Sequence, residues 1–416
     1  MVTADLTDEE SLIRFSVGPP LRCFAGRFSV RAGKEKSMQS VRFNASGNAV
    51  AKVSYTARCL VELGYDSTRA LGLSRSEEPP RAGDLVLCRV TGIGQHKFLG
   101  QAHGKRNRLF VGDTIVVAYG ARYAPDQFEA EVPGDLGPCD LVAGGGIAGR
   151  VVSSHSKMNP PTRLEPLGLV TDEHGEVISL AHLARLVVPV QAPRPRTIAV
   201  LGTSMNAGKT TVAAALIRGL GLAGLRVGAA KVTGTGAPGD PTLMADAGAA
   251  RVIDFTDLGF ATTYQLPMPQ VIRILRGAIT DLTSHQTDAI VLEVADGILQ
   301  RETAALMRTP EFRADVDAIV FAAGDSVSAV AGVRLLRDEH LPVVALSGVL
   351  TASPLAMAEA VAGVDIPVHE TAALSDPSVA AQLLADAQVT GGNSGLSQEH
   401  GRLTDYSGPL TAETVA

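Results

Sequence analysis

One segment, TIAVLGTSMNAGKTTVAAALI (Thr197–Ile217), constrains the fold of this chain more than any other. It reads as an apolar strand, a glycine-bounded loop and an Ala/Leu-rich helix in direct succession. Repeats of such a unit build a parallel sheet with helices on its faces. Glycines let successive backbone N–H groups face inward, and the helix N-terminus adds its positive dipole, so the loop suits an anion. Gly208-Lys209-Thr210-Thr211 is the core of a phosphate-binding loop: Lys209 would reach the β/γ-phosphates, and the Thr210 hydroxyl would sit on Mg2+. The five residues Thr203–Ala207 separate Gly202 from Gly208, where the strict pattern has four. The competing reading is a plain glycine turn with a solvated lysine, which does not need a Lys-Thr-Thr helix start.

The pattern continues downstream. Strands are expected at Thr197–Leu201, Val227–Val232, Ala289–Val294, Ala318–Ala322 and Pro342–Leu346. Helices are expected at about Lys209–Ala223, Pro269–Leu282, Thr303–Arg308, Ser326–Glu339 and Pro354–Ala362. Upstream the period differs. Asp84–Val90, Asn107–Asp113, Thr114–Gly120, Gln127–Val132 and Ile147–Ser153 are short, β-branched and punctuated by glycine, as in a small barrel or sandwich. Before about residue 80 the pattern is ambiguous, with a candidate strand at Phe24–Val30 and a helix or buried strand at Val53–Leu63. The expected fold class is therefore α/β: a mostly parallel-sheet P-loop NTPase domain at 197–389, preceded by a β-rich domain at 1–189. A Pro-rich linker at 190–196 joins them, and a polar, aperiodic, disordered tail fills 390–416.

Composition narrows the partners. Lys+Arg 37 against Asp+Glu 43 gives a net charge of −6, so no basic excess exists to hold a polyanion. With 6 Tyr, 11 Phe and no Trp, stacking platforms for single strands are scarce, and nucleic acid is not an expected partner. The N-terminus is acidic without an apolar core segment, and no apolar run is long enough to span a bilayer. The four cysteines form no C-x-x-C pair and read as reduced thiols. A cytoplasmic protein without a membrane partner is expected.

The loop spacing resembles dethiobiotin synthetase and the related amidoligase and molybdopterin-nucleotide families, whose loop reads G-T-x-x-x-x-G-K-T. Gly202-Thr203 and Gly208-Lys209-Thr210 match it. AAKVTGTG, with Lys231, Thr233 and Gly234, matches the family's second strand and its Thr/Ser-Gly turn. EVADG, with Glu293, Asp296 and Gly297, stands where the family has E-G-A-G-G. The likeness covers roughly 197–370. Ser204 replaces the usual acidic loop residue. The resemblance implies an ATP–Mg2+ site that activates a small molecule by phosphoryl transfer, and a homodimer, because the related enzymes dimerise.

The cofactor-binding set expected is Gly202, Thr203, Ser204, Met205, Asn206, Ala207, Gly208, Lys209, Thr210 and Thr211. Glu293 ends an apolar strand beside the crevice and suits Mg2+. Lys231 could neutralise a transferring phosphoryl group. Asp240, in a Gly/Pro loop, is a candidate metal carboxylate or general base, with Asp246 and Asp254 competing. The catalytic set is then Lys209, Lys231, Glu293 and Asp240, and the metal set is Thr210, Glu293 and Asp240. Gln300, Arg301 and Glu302 could equally contact substrate or open a helix. Gly324-Asp325-Ser326 and Ser347-Gly348 are candidates to line the crevice, the latter near the base. Arg122, Tyr123, Asp126, His155, Lys157 and Arg163 could bind an anionic substrate, but as loop charges they read better as polar contacts. The leading function is an ATP-dependent kinase or ligase on a small molecule, with an anionic one as a candidate. The alternatives are a polynucleotide or nucleoside kinase, and a nucleotide-gated regulatory or assembly ATPase.

Overall fold

Apolar runs that end at glycine or at a polar residue become the strands of a six-stranded parallel sheet. Its spatial order is Arg251–Asp254, Val227–Thr233, Ala289–Val294, Arg196–Gly202, Ala318–Ala322, Val343–Ser347. The computed structural model describes residues 40–42, 50–64, 71–75, 78–188 and 191–390. Contacts divide the chain into Met1–Met38, outside those residues, and one unit, Gln39–Ala416, to which everything below belongs. The candidate strand at Phe24–Val30 and the tail beyond 390 also lie outside the described residues.

Both faces of the sheet are covered, as continuous apolar strands require. Lys209–Leu222 and Pro377–Thr390 lie on one face, where Val212, Leu216 and Leu383 meet Ile198 and Val200. Met268–Ser284 and Ser326–Asp338 lie on the other, where Ile274, Leu275 and Val333 meet Leu201, Leu292 and Phe321. Strands are added first to one side of Arg196–Gly202 and later to the other, so the strand order reverses there. A crevice opens at the carboxyl ends of the strands at such a point.

The first half carries a nine-stranded sheet. Thr114–Tyr119 pairs with Leu85–Gly92, which pairs with Thr162–Thr171, then Cys139–Ala143, then Ile147–Ser154. Ile147 and Ala148 return to pair with Ala118 and Tyr119, closing the ring. Closure leaves these five strands without an open edge. Of the expected strand Asn107–Asp113, the structure keeps only Arg106–Arg108, in a ribbon with Phe98–Gly100. The expected element at Val53–Leu63 resolves into the end of a strand, Val50–Val53, and one helical turn, Cys59–Glu62. Cys59, Cys88 and Cys139 are buried free thiols. No helix among the described residues is long and apolar enough to cross a membrane.

The two sheets meet through buried polar groups. Tyr55 Oη donates to Asp254 Oδ2 at 2.6 Å. Arg58 donates to Thr256 Oγ1 at 2.5 Å and to Asp257 Oδ1 at 2.6 Å. Arg185 Nε adds a contact to Asp257 at 3.2 Å. Asp254, a competitor of Asp240 for the catalytic carboxylate on sequence grounds, is thus enclosed in this junction, with Arg58 Nη2 3.5 Å away.

Candidate functional site

The loop between Arg196–Gly202 and Lys209–Leu222 is wound tightly by its backbone. Gly208 takes φ +95° at the helix start, a conformation that side-chain-bearing residues resist. Asn206 also has positive φ, +64°, and asparagine tolerates that region better than most. Thr203 N donates to Ala322 O, and Val349 N donates to Ala207 O, which ties the loop to the ends of two neighbouring strands. A Cβ on Gly297 would lie 2.4 Å from Thr203 O, so the turn after Ala289–Val294 approaches the loop as closely as backbone allows. The sequence pairs that glycine with Glu293, and here both sit against the same loop.

Five side chains converge at the helix start. Lys209 is buried, and its Nζ donates to Ser204 O at 2.7 Å. Burial lowers its pKa, and Glu293 opposes that shift. Thr210 Oγ1 stands 3.0 Å from Glu293 Oε1 and 3.2 Å from Asp240 Oδ1. Lys231 Nζ forms a short ion pair with Asp240 Oδ2. Burial alone would lower the Lys231 pKa, but Asp240 and then Glu293 outweigh it and hold the ammonium charged. Burial would raise the Asp240 pKa, but Lys231 overrides it and keeps the carboxylate ionised.

Asp240 lies in the first turn of a helix, Gly239–Asp246, rather than in the Gly/Pro loop expected. Proline in a helix's first turn costs little, because the N–H it lacks has no partner there.

Glu293 is 2% exposed. Burial and then Asp240 push its carboxyl up to about 7, against Lys231 and Lys209. Its Oε2 is buried with no hydrogen-bond partner among the described residues. The Thr210 hydroxyl has one proton to offer two carboxylate oxygens. Glu293 Oε2 is therefore an acceptor that no donor among the described residues reaches, an opening a hard divalent cation can fill. Thr210, Asp240 and Glu293 fit Mg2+ by this test.

Two concavities flank the loop. One, of about 300 Å3, is lined by Gly208, Thr211, Gly348, Val349, Glu370 and Thr371. Ser347-Gly348 was expected near the base; Glu370 and Thr371 were not, because nothing in their local pattern marks them. The other, of about 740 Å3, lies between the two sheets. Met205, Lys231 and Asp296 reach it from the loop side, and His96, Arg122 and Gly145 from the nine-stranded side. Asn206 Nδ2 donates to Asp126 Oδ2 at 2.9 Å, a direct link between the loop and the first half.

Other candidates fall elsewhere. Gln300 Oε1 accepts from Thr303 N as a helix cap, and Glu302 is buried against Gln300, Arg301 and Gln265 N. Asp325 caps Ser326–Asp338 through Ser328 N. Arg163 pairs with Asp140, and His155 and Lys157 are exposed. Asp246 lies on the rim of the larger cavity.

No family model matches the chain, and no curated protein is similar to it. Solved structures resemble about half of it. The signal recognition particle receptor FtsY from Elizabethkingia anophelis is 12% identical, with a TM-score of 0.29 over 48% of this chain and 57% of that one. Chloroplast FtsY from Physcomitrella patens is 16% identical, with a TM-score of 0.33 over 48% and 70%. The septum site-determining protein MinD from Pyrococcus horikoshii, solved with Mg-ADP, is 15% identical, with a TM-score of 0.29 over 48% and 98%. The chain thus spans 57% of the length of the first of these. None of the three is a dethiobiotin synthetase.

Proposed function

We propose that this chain is an ATP–Mg2+-dependent enzyme that activates a small molecule by phosphoryl transfer, as a kinase or as a ligase acting through a phosphorylated intermediate. The observation that carries the reading is the acceptor-rich cluster of Thr210, Asp240 and Glu293 at the mouth of the glycine loop, opposite the buried ammonium groups of Lys209 and Lys231. Cation oxygens and phosphate-seeking donors at one helix N-terminus are the parts that phosphoryl transfer uses.

Each side chain then has a task. The loop amides and Lys209 hold the phosphate chain. Thr210, Asp240 and Glu293 would hold Mg2+, which supplies charge neutralisation at the phosphates. Lys231 lines the larger cavity as well as pairing with Asp240, so it can steady a phosphoryl group directed at an acceptor bound there. The smaller concavity beside Gly208 and Thr211 takes the base. The sequence has no N-K-x-D guanine motif, which favours ATP over GTP. The acceptor occupies the larger cavity, within the range of small-molecule sites.

Glu293→Gln tests the metal assignment. It keeps the shape and removes the charge. The Mg2+ concentration needed for half-maximal nucleotide binding or turnover should rise on the order of 10–100-fold, with the folded structure retained by circular dichroism. An unchanged Mg2+ requirement would remove Glu293 from the metal site.

A further inference from the structure

We propose that the cavity between the two sheets binds a small organic acid, its carboxylate gripped by Arg122. The binding itself stands on the geometry of this cavity; only the acid's role as acceptor rests on the function proposed above.

Arg122 is 6% exposed. A guanidinium carries five N–H donors and no acceptor. Nη2 donates to Gln127 Oε1 at 2.9 Å. Nη1 faces His96 Nε2 at 3.1 Å, and the same Nε2 lies 3.0 Å from Val142 O. An imidazole nitrogen that donates to a carbonyl cannot also accept from a guanidinium, so one of those contacts is left unmade. Burial and then Arg122 hold the His96 pKa down to about 4, which keeps the ring neutral. Arg122 Nε is buried with no partner among the described residues. Asp126 and Asp296 lie near enough to favour the charge, but the hydrogen-bonding partners of Arg122 among the described residues, Gln127 and His96, are both neutral.

A buried cation without a bound anion costs several kcal/mol in a real protein. Here it lines a cavity of about 740 Å3. The planar fork of a guanidinium matches the two oxygens of a carboxylate. Lys97 and Arg106 line the same cavity and add positive charge, and Asp246 and Asp296 line it as well. Carboxylates beside a cation suit a ligand that carries a donor as well as an anion. The class that fits is a hydroxy or amino acid, its carboxylate on Arg122 and its hydroxyl or amino group toward Asp296 and Lys231.

The test is a calorimetric titration of the full chain, without nucleotide, using malate, glutamate, succinate and inorganic phosphate as probes. Malate or glutamate should bind the wild type, with phosphate failing to displace it. Arg122→Met should weaken that binding about tenfold or more, with Arg122→Lys between the two. Gln127→Glu supplies an internal counter-charge, so it should raise the melting temperature and weaken the acid by a similar factor, which keeps the test alive if Arg122→Met does not fold. Absence of binding by every carboxylate, equal binding by wild type and Gln127→Glu, or displacement by phosphate at comparable concentration would overturn the proposal. Lys209→Met separates this claim from the nucleotide site: carboxylate binding should survive in it while nucleotide binding is lost.

Discussion

A Lys209→Met chain should lose nucleotide-dependent turnover by about 100-fold or more while unfolding at the same or a higher temperature. The stability half follows from burial, since the lysine's ammonium is enclosed and donates to the Ser204 carbonyl; the rate half rests on the phosphate-holding role proposed for it above. Desolvating an ammonium is unfavourable, and burial lowers its pKa accordingly. Methionine fills much the same volume without that cost. What it lacks is charge aimed at the phosphates, and removing one such preorganised donor typically costs 10²–10³-fold in rate, about 2.7–4 kcal/mol. Thermal unfolding together with ADP formation reads both quantities. A variant that turns over at the wild-type rate would remove Lys209 from the chemistry, and a variant that melts much earlier would make it a structural residue.

The second large effect is on stability. Arg58→Met should destabilise the chain by about 3–5 kcal/mol, because it strands buried carboxylates. Arg58 holds Asp257 at 2.6 Å and lies 3.5 Å from Asp254, and all three side chains are at most 8% exposed. Arg185 and Glu62 join the cluster from more exposed positions and cannot replace it. Adding Asp257→Asn to Arg58→Met should recover part of the loss, since one fewer charge is left uncompensated. Denaturant unfolding of the single and double variants measures this. A loss below about 1 kcal/mol for Arg58→Met, the range of exposed pairs, would show that water reaches the junction.

How much of this the residues announce depends on how local the signal is. Ala289–Val294 and Ala318–Ala322 are strands at the expected bounds because each is an unbroken apolar run that the sheet buries on both faces. Lys209–Leu222 is legible for the same reason, from its glycine start and its Ala/Leu content. Thr162–Thr171 was not expected as a strand. Pro166 and Gly168 interrupt its pattern, and the structure absorbs them in a register shift between those two residues. Arg251–Asp254 is an edge strand of four residues, too short to show a period. Pro377–Thr390, which covers one face of the parallel sheet, was not expected as a helix. At the site, Lys209 and Thr210 stand out because they follow a glycine turn, and Lys231 and Glu293 because they sit near the carboxyl ends of apolar strands. Asp240 was expected in a loop, and the structure puts it in a helix's first turn, beside Thr210 and Lys231. Arg122 read as an ordinary loop charge. Its surroundings are His96, Gln127 and a cavity shared with Asp296, and no local pattern encodes a neighbour 174 residues away.

The central claim is that nucleotide and acceptor meet across the glycine loop. The measurement that tests it most directly is ADP formation from ATP–Mg2+ by the wild-type chain, against a panel of small carboxylic, hydroxy and amino acids. At least one of them should accelerate ADP formation well above the basal rate, and Arg122→Met should remove that acceleration. A slow basal rate unchanged by every compound, together with a change in oligomer size on nucleotide binding, would contradict it and make the chain a nucleotide-gated assembly protein.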